Sequence, residues 1–218
     1  MKQAWIIRGG WPGHEPVQTT DRFADMLRDS GFQVTVYDTQ EPLGSLDQLM
    51  QIDLLVMSWT MGEIDPAYTA NVSKAVAAGM GLAGCHGGLC DAFRSDTLWQ
   101  YMTGGQWVAH PGNDGVTYTV HICADDPITQ GIGDFSVTSE QYYMHVDPAN
   151  QVLATTRFPS VEDEAWPNGP VDMPVAWKRL WGKGRVFYLS LGHVDAVFAQ
   201  SPEARLLMQR GMCWAAKE

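Results

Sequence analysis

The run AWIIR, residues 4–8, is apolar up to its arginine and ends in Gly9 and Gly10, the pattern of a buried parallel strand feeding a glycine loop. Thr20, Phe23, Met26 and Leu27 then recur at helical spacing, and Gly31 ends that helix. FQVTVYD reads as a second strand, residues 46–50 as a short helix, and IDLLVMSW as a third, fully buried strand. Asp65 before Pro66 is a cap followed by proline at the first helical position, opening a helix through Val72, Val76 and Ala77 to Gly79. The strand MGLAGC follows at once. Strands alternating with helices this closely predict an α/β fold, a doubly wound and mainly parallel sheet with helices on both faces.

The second half is richer in strands. VTYTVHI alternates cleanly, SVTSEQYYM and QVLATT have strand character, and MPVAWKRL leads through the turn GKG into RVFYLSL, so antiparallel additions are expected there. LCDAFRSDTLWQYM reads as a helical segment, and residues 202–214, with Pro202 at the start and Leu206, Leu207, Met208 and Trp214 as apolar positions, as the closing helix. With 218 residues, 45% of them hydrophobic, and no linker, repeat or low-complexity stretch, the expectation is a single domain over residues 1–218. In such sheets ligands bind at the carboxyl ends of the strands, which directs attention to residues 9–15, 58–62 and 85–91.

A net charge of −11 offers no basic stripe to phosphates, so neither nucleic acid nor an anionic membrane is an expected partner. The opening MKQAWIIRGG has too short an apolar run for a signal peptide, and no run reaches transmembrane length. Cys85, Cys90, Cys123 and Cys213 lack metal or redox spacing and suit a reducing compartment, so a cytoplasmic location is expected. Gly9, Gly10 and Gly13 lack the lysine and the spacing of nucleotide-binding loops, and no nucleotide cofactor is expected.

The most informative stretch is Gly84-Cys85-His86-Gly87-Gly88, a buried strand turning sharply into a helix. Such a turn lifts its central side chain above the sheet. The elbow resembles that of class I glutamine amidotransferases, where the centre is cysteine; here it is His86, so thioester glutamine hydrolysis is disfavoured. Cys85 points to the opposite face and does not substitute. His193-Val194-Asp195 after the run YLSLG resembles the His-x-Glu of the same group. The ordered set of Asp91-Ala92-Phe93-Arg94, Gly104-Gly105-Gln106-Trp107, His110-Pro111, Asp126-Pro127-Ile128-Thr129, Glu140-Gln141-Tyr142-Tyr143, Pro174-Val175-Ala176-Trp177 and Leu191-Gly192-His193 resembles the ThuA-like (trehalose-utilisation) family more closely. The likeness spans residues 3–216 and implies a flavodoxin-like, class I amidotransferase-like fold and sugar metabolism, with trehalose or a related disaccharide or keto-sugar as ligand. Asp126 and Ser139 depart from that family's pattern.

The candidate catalytic residues are His86, His193 and Glu140, whose side-chain types suit acid–base work or a divalent metal such as zinc. His86, His193 and His110 are the candidate metal ligands, with Glu140 or His14 completing the set. A turn histidine bonded to its backbone, a cap or an Asp195 pair at His193, and an ion pair of Glu140 with Arg94 or Arg185 are the plainer alternatives. His14, Glu15, Asp91, Arg94 and Asp195 are candidate substrate contacts, and Trp11, Trp59 and Trp107 fall in predicted loops where their faces can stack on a sugar ring. Exposed aromatic loops of this kind are often covered by a second copy, so a homodimer is expected. Two readings stay open: a hydrolase or isomerase acting on a sugar or keto-sugar, or a non-catalytic sugar-binding or regulatory module. A third, residual hydrolysis through Cys85 or Cys90, requires a reactive thiol.

Overall fold

The computed structural model describes residues 1–160 and 169–218. Strands β1 (Gln3–Gly10), β2 (Gln33–Tyr37), β3 (Leu54–Thr60) and β4 (Gly81–Cys85) alternate with helices α1 (Pro16–Asp29), α2 (Leu46–Leu49) and α3 (Pro66–Ala78). Next come α4 (Gly87–Cys90), α5 (Thr97–Thr103), β5 (Gly105–Ala109), β6 (Val116–Ile122), β7 (Phe135–Ser139), β8 (Tyr143–Val146) and β9 (Gln151–Phe158). Strands β10 (Val171–Trp181) and β11 (Gly184–Leu189) and helices α6 (Asp195–Gln200) and α7 (Pro202–Ala215) complete the order.

One sheet of nine strands runs β2-β1-β3-β4-β11-β10-β9-β6-β7, and β5 pairs with β8 apart from it. The first five strands of that order pair in parallel, and β10, β9, β6 and β7 are added antiparallel. The doubly wound core with antiparallel additions predicted from the pattern is therefore present. Apolar runs explain why: neighbours such as Ile6 and Ile7, or Phe187 and Tyr188, are all fully buried, one packing with Phe23 and Leu207 on one face and the other with Val72 and Trp99 on the opposite face. Each such side chain contributes about 1.5–3 kcal/mol. Asp65 caps α3 by accepting from the Ala67 N–H at 2.8 Å, with Pro66 next, as the sequence indicated.

Three expectations are corrected. The segment LCDAFRSDTLWQYM is not one helix: α4 stops at Cys90 and α5 restarts at Thr97, because the Asp96 carboxylate caps the new helix through the Trp99 N–H at 3.0 Å. SVTSEQYYM is not one strand, since residues 140–142 leave β7 and enter β8 in the other sheet. There the Tyr118 hydroxyl donates to the Glu140 carbonyl at 3.0 Å, and the Gln141 side-chain amide bonds Thr156, Arg157 and Ser160, replacing ladder bonds. Trp59 and Trp107 lie in β3 and β5, not in loops.

Candidate functional site

The elbow is built as its glycines predict. His86 follows β4 with φ 48°, a left-handed conformation that costs a non-glycine residue about 1–3 kcal/mol and persists where its surroundings fix it. Here its N–H donates to the Leu189 carbonyl at 2.7 Å, and the Tyr188 hydroxyl donates to the His86 carbonyl at 3.1 Å, tying the turn to β11. Gly87 leaves room for a second imidazole: a Cβ there would stand 2.7 Å from His14 Cε1.

The His86 side chain does not stand free in a crevice. It is 1% exposed, stacked on Tyr142 with ring centres 4.0 Å apart, and does not line the cavity, a correction to the projected elbow residue. Its Nδ1 meets the Ser190 carbonyl at 2.7 Å and its Nε2 the Glu140 Oε2 at 2.9 Å. Because a carbonyl only accepts, Nδ1 carries the proton, and Nε2 turns its lone pair toward a carboxylate. Burial lowers the His86 pKa against the pull of Glu140 and Ser190, so two acceptors face each other across a gap that calls for a proton or a cation.

Two more groups converge on that gap. His14, in the turn Pro12–His14, has Nδ1 held 2.8 Å from the Thr60 hydroxyl and Nε2 4.0 Å from Glu140 Oε2. His193 brings Nδ1 to 3.3 Å from the same oxygen, yet this buried nitrogen has no hydrogen-bond partner. His14, His86, Glu140 and His193 each offer one ligand atom, all within 4.8 Å of one another. Burial pushes the His14 pKa down to about 3, and a proton carried by His86 or His193 acts in the same direction. For Glu140, burial alone would raise the pKa, but a proton on His193 or His86 outweighs it and holds the carboxyl well below the usual range. Burial also opposes the charge on His193, where Glu140 prevails and raises the pKa.

A cavity of about 370 Å³ opens over this cluster. Its lining includes Trp11, His14, Asp91, Arg94, Trp107, His110, Glu140, Tyr142 and His193. Trp11 stands beside His14 and His193, whereas Trp107 stands beside His110 and Tyr142. His110 falls outside the four converging ligand atoms; its Nε2 is 3.7 Å from the other carboxylate oxygen, Glu140 Oε1.

Three predicted contacts do not reach the cavity. Asp195 is drawn away from His193 by Arg22, which binds both its oxygens at 2.5 and 2.7 Å. Glu15 precedes α1 and accepts from the Asp195 N–H at 3.1 Å. Trp59 packs beneath Gly9, where a Cβ would come within 2.6 Å of its ring. The suggested ion pairs of Glu140 with Arg94 or Arg185 are also replaced: Arg94 binds Asp91, and Arg185 binds Glu218. Tyr142 was legible only as part of Glu140-Gln141-Tyr142-Tyr143, and nothing in the local pattern marked Tyr118, Asn113 or Asp114. Burial pushes the Cys85 thiol up to about 12 and raises Cys90 as well, so neither supplies a thiolate at neutral pH.

A family model described as trehalose utilisation matches residues 3–215. A ThuA-like protein of Bacteroides uniformis has the same fold with a TM-score of 0.76 at 17% identity, the match covering 98% of this chain and 91% of that one. A cytoplasmic protein of Salmonella typhimurium matches over 100% of both chains with a TM-score of 0.69 at 14% identity. A β-galactosidase of Bacillus circulans matches at 0.57 and 14% identity, over 97% of this chain but 31% of that one. Among curated proteins, none matches the chain. No helix among the described residues is long and apolar enough to cross a membrane.

Proposed function

The chain belongs to the trehalose-utilisation family, ThuA, and from that premise we propose a cytoplasmic enzyme of carbohydrate catabolism that holds a sugar or keto-sugar over a divalent metal site. The observation that carries this reading is His86, whose Nδ1–H is committed to the Ser190 carbonyl and whose Nε2 is aimed at Glu140. A backbone carbonyl on one imidazole nitrogen commonly fixes the other as a metal ligand. Separations from Glu140 Oε2 of 2.9, 3.3 and 4.0 Å straddle the about 3–3.5 Å that parts the ligand atoms of a tetrahedral zinc, with His14 the one set wider. Three imidazoles and a carboxylate suit zinc and other divalent transition metals.

When bound, such an ion polarises a carbonyl or activates a water. The chain's own groups do the remainder. His14, Glu140 and His193 face the cavity, while Trp11 and Trp107 offer aromatic faces to a sugar ring. Chemistry of the hydrolase or isomerase type is compatible with this arrangement, and a glutaminase is not, since His14 fills the space over Gly87 and burial raises the thiols of Cys85 and Cys90 beside the elbow. Metal analysis of protein purified without chelator is expected to find one equivalent, lost on His193→Ala; a metal-free protein that also takes up no added zinc or manganese overturns the metal-assisted reading.

A second reading has its own support. The β-galactosidase match shows this fold occupying part of a larger chain, so a non-catalytic sugar-binding or regulatory module is the alternative. Ligand binding that survives complete removal of metal, with no turnover of sugars or keto-sugars, would favour it.

A further inference from the structure

The cavity's second aromatic wall carries an arrangement the converging histidines do not use. Arg94 lies with its guanidinium carbon 4.6 Å from the centre of the Trp107 ring. Its Nε and Nη2 donate to the two carboxylate oxygens of Asp91, the second at 2.8 Å. The Asp91 side chain is 5% exposed and that of Arg94 47%, so the pair is rooted in the protein and opens at the cavity. A guanidinium has five N–H donors, and Asp91 takes one each from Nε and Nη2. The Nη1 amine has no protein acceptor among the described residues. An arginine pinned by a carboxylate fork and an aromatic face keeps its remaining donors in fixed directions, which suits recognition without further ordering.

The charges decide what those donors accept. Among the lining residues, Asp91, Asp114 and Glu140 are carboxylates and Arg94 is the one guanidinium. Asp91 cancels Arg94. A divalent cation at the histidine cluster would balance the two carboxylates left, so the loaded cavity would have no positive surplus to hold a dianion.

We propose that Asp91, Arg94 and Trp107 form the specificity determinant that makes this cavity take an unphosphorylated sugar and reject its phosphate ester. Arg94 donates from Nη1 to neutral hydroxyl or ring oxygens, and Asp91 removes the charge that would otherwise capture phosphate. The assignment rests on the sugar-ligand reading above and adds the residues that select among sugars.

Calorimetric titration of the zinc-loaded protein with trehalose, a phosphate ester of trehalose and inorganic phosphate tests it. Wild type should bind trehalose at least about tenfold more tightly than the ester, the scale of one charge-assisted hydrogen bond. Arg94→Gln, at a half-exposed side chain where the new amide can still donate to Asp91, should weaken trehalose by about tenfold at unchanged zinc content. Asp91→Asn should increase affinity for inorganic phosphate over wild type. An ester bound as tightly as trehalose by wild type overturns the proposal, as does trehalose binding indifferent to Arg94→Gln. Equal phosphate affinity in wild type and Asp91→Asn also overturns it. If wild type binds neither sugar, the sugar reading itself fails, and the phosphate comparison still decides the charge argument.

Discussion

In the parallel half of the sheet, imidazoles arrive from the loops that leave strands: His14 after β1, His86 after β4 and His193 after β11. In the antiparallel half, made of the sheet's added strands and the separate β5–β8 pair, Glu140 and Tyr142 arrive from the break between β7 and β8, while Trp107 and His110 come from β5 and the turn behind it. The first half obeys a general rule, ligands at the carboxyl ends of parallel strands. The second has no such rule, and its carboxylate is placed by two side-chain anchors, the Tyr118 hydroxyl and the Gln141 amide. Nitrogen donors come from one half and the oxygen donor from the other, so the cluster exists only where the halves meet.

The largest expected effect comes from cutting the comparison at its most buried point. His86→Ala removes a fully buried ring stacked on Tyr142 and leaves the Ser190 carbonyl and the Glu140 carboxylate without their partner. Metal should be lost, and the metal-free protein should lose about 2–4 kcal/mol in denaturant unfolding. His193→Ala, from the same half but on the cavity wall, where its Nδ1 lies 3.3 Å from Glu140 without a hydrogen bond, should lose the metal at a cost below about 1 kcal/mol. Equal stability losses in the two variants would mean that His193 is as structural as His86.

The antiparallel half is broken most simply at its second anchor. Gln141→Ala keeps every ligand but frees the segment that presents Glu140, since the Gln141 amide also accepts the Ser160 N–H at 2.8 Å. Metal affinity should fall by about tenfold or more, the range for groups that orient ligands, with Gln141→Glu failing to restore it because a carboxylate cannot donate to the Arg157 carbonyl. Unchanged affinity would show that Tyr118 alone holds the carboxylate.

What the sequence made legible follows the same division. The parallel strands, the Asp65–Pro66 helix start and the elbow were readable because apolar runs and glycines report local backbone needs. His14, His86 and His193 fell at strand ends by the same logic. The break at Glu140 was not readable, because the residues that cause it, Tyr118, Thr156 and Ser160, are distant in sequence. Asp195 and Glu15 looked like site residues from position alone, and one cation, Arg22, redirects the first of them. The burial of His86 was equally hidden, since it depends on Tyr142 crossing from the other half to cover the ring.

Acidity probes the parallel half through His14. Its folded pKa of about 3 lies below the ordinary 6.5, so the unfolded chain takes up a proton that the folded protein refuses. The stability tied to this group is present above pH 6.5 and declines as pH falls toward 3. In metal-free protein, His14→Gln should make that decline shallower by up to about 1 kcal/mol per pH unit, measured by urea unfolding across the window. Parallel slopes for wild type and variant would place His14 in water, not in the cluster.

The smallest effect should belong to His110, and it sharpens the boundary between ligand and wall. His110 lines the cavity, yet its Nε2 faces Glu140 Oε1 at 3.7 Å, whereas the other three histidines approach Oε2. A metal seated among His14, His86 and His193 uses Oε2, and His110 then touches only the outer oxygen of one ligand. His110→Ala should therefore retain one equivalent of metal, with affinity reduced by no more than a few-fold and stability changed by less than about 0.5 kcal/mol, as for a partly exposed side chain outside the core. Competition with a chelator of known zinc affinity reads the difference directly. Loss of metal as complete as that in His193→Ala would move His110 into the coordination set. The antiparallel half would then supply a nitrogen donor as well as its carboxylate, and the division of labour between the halves would fail.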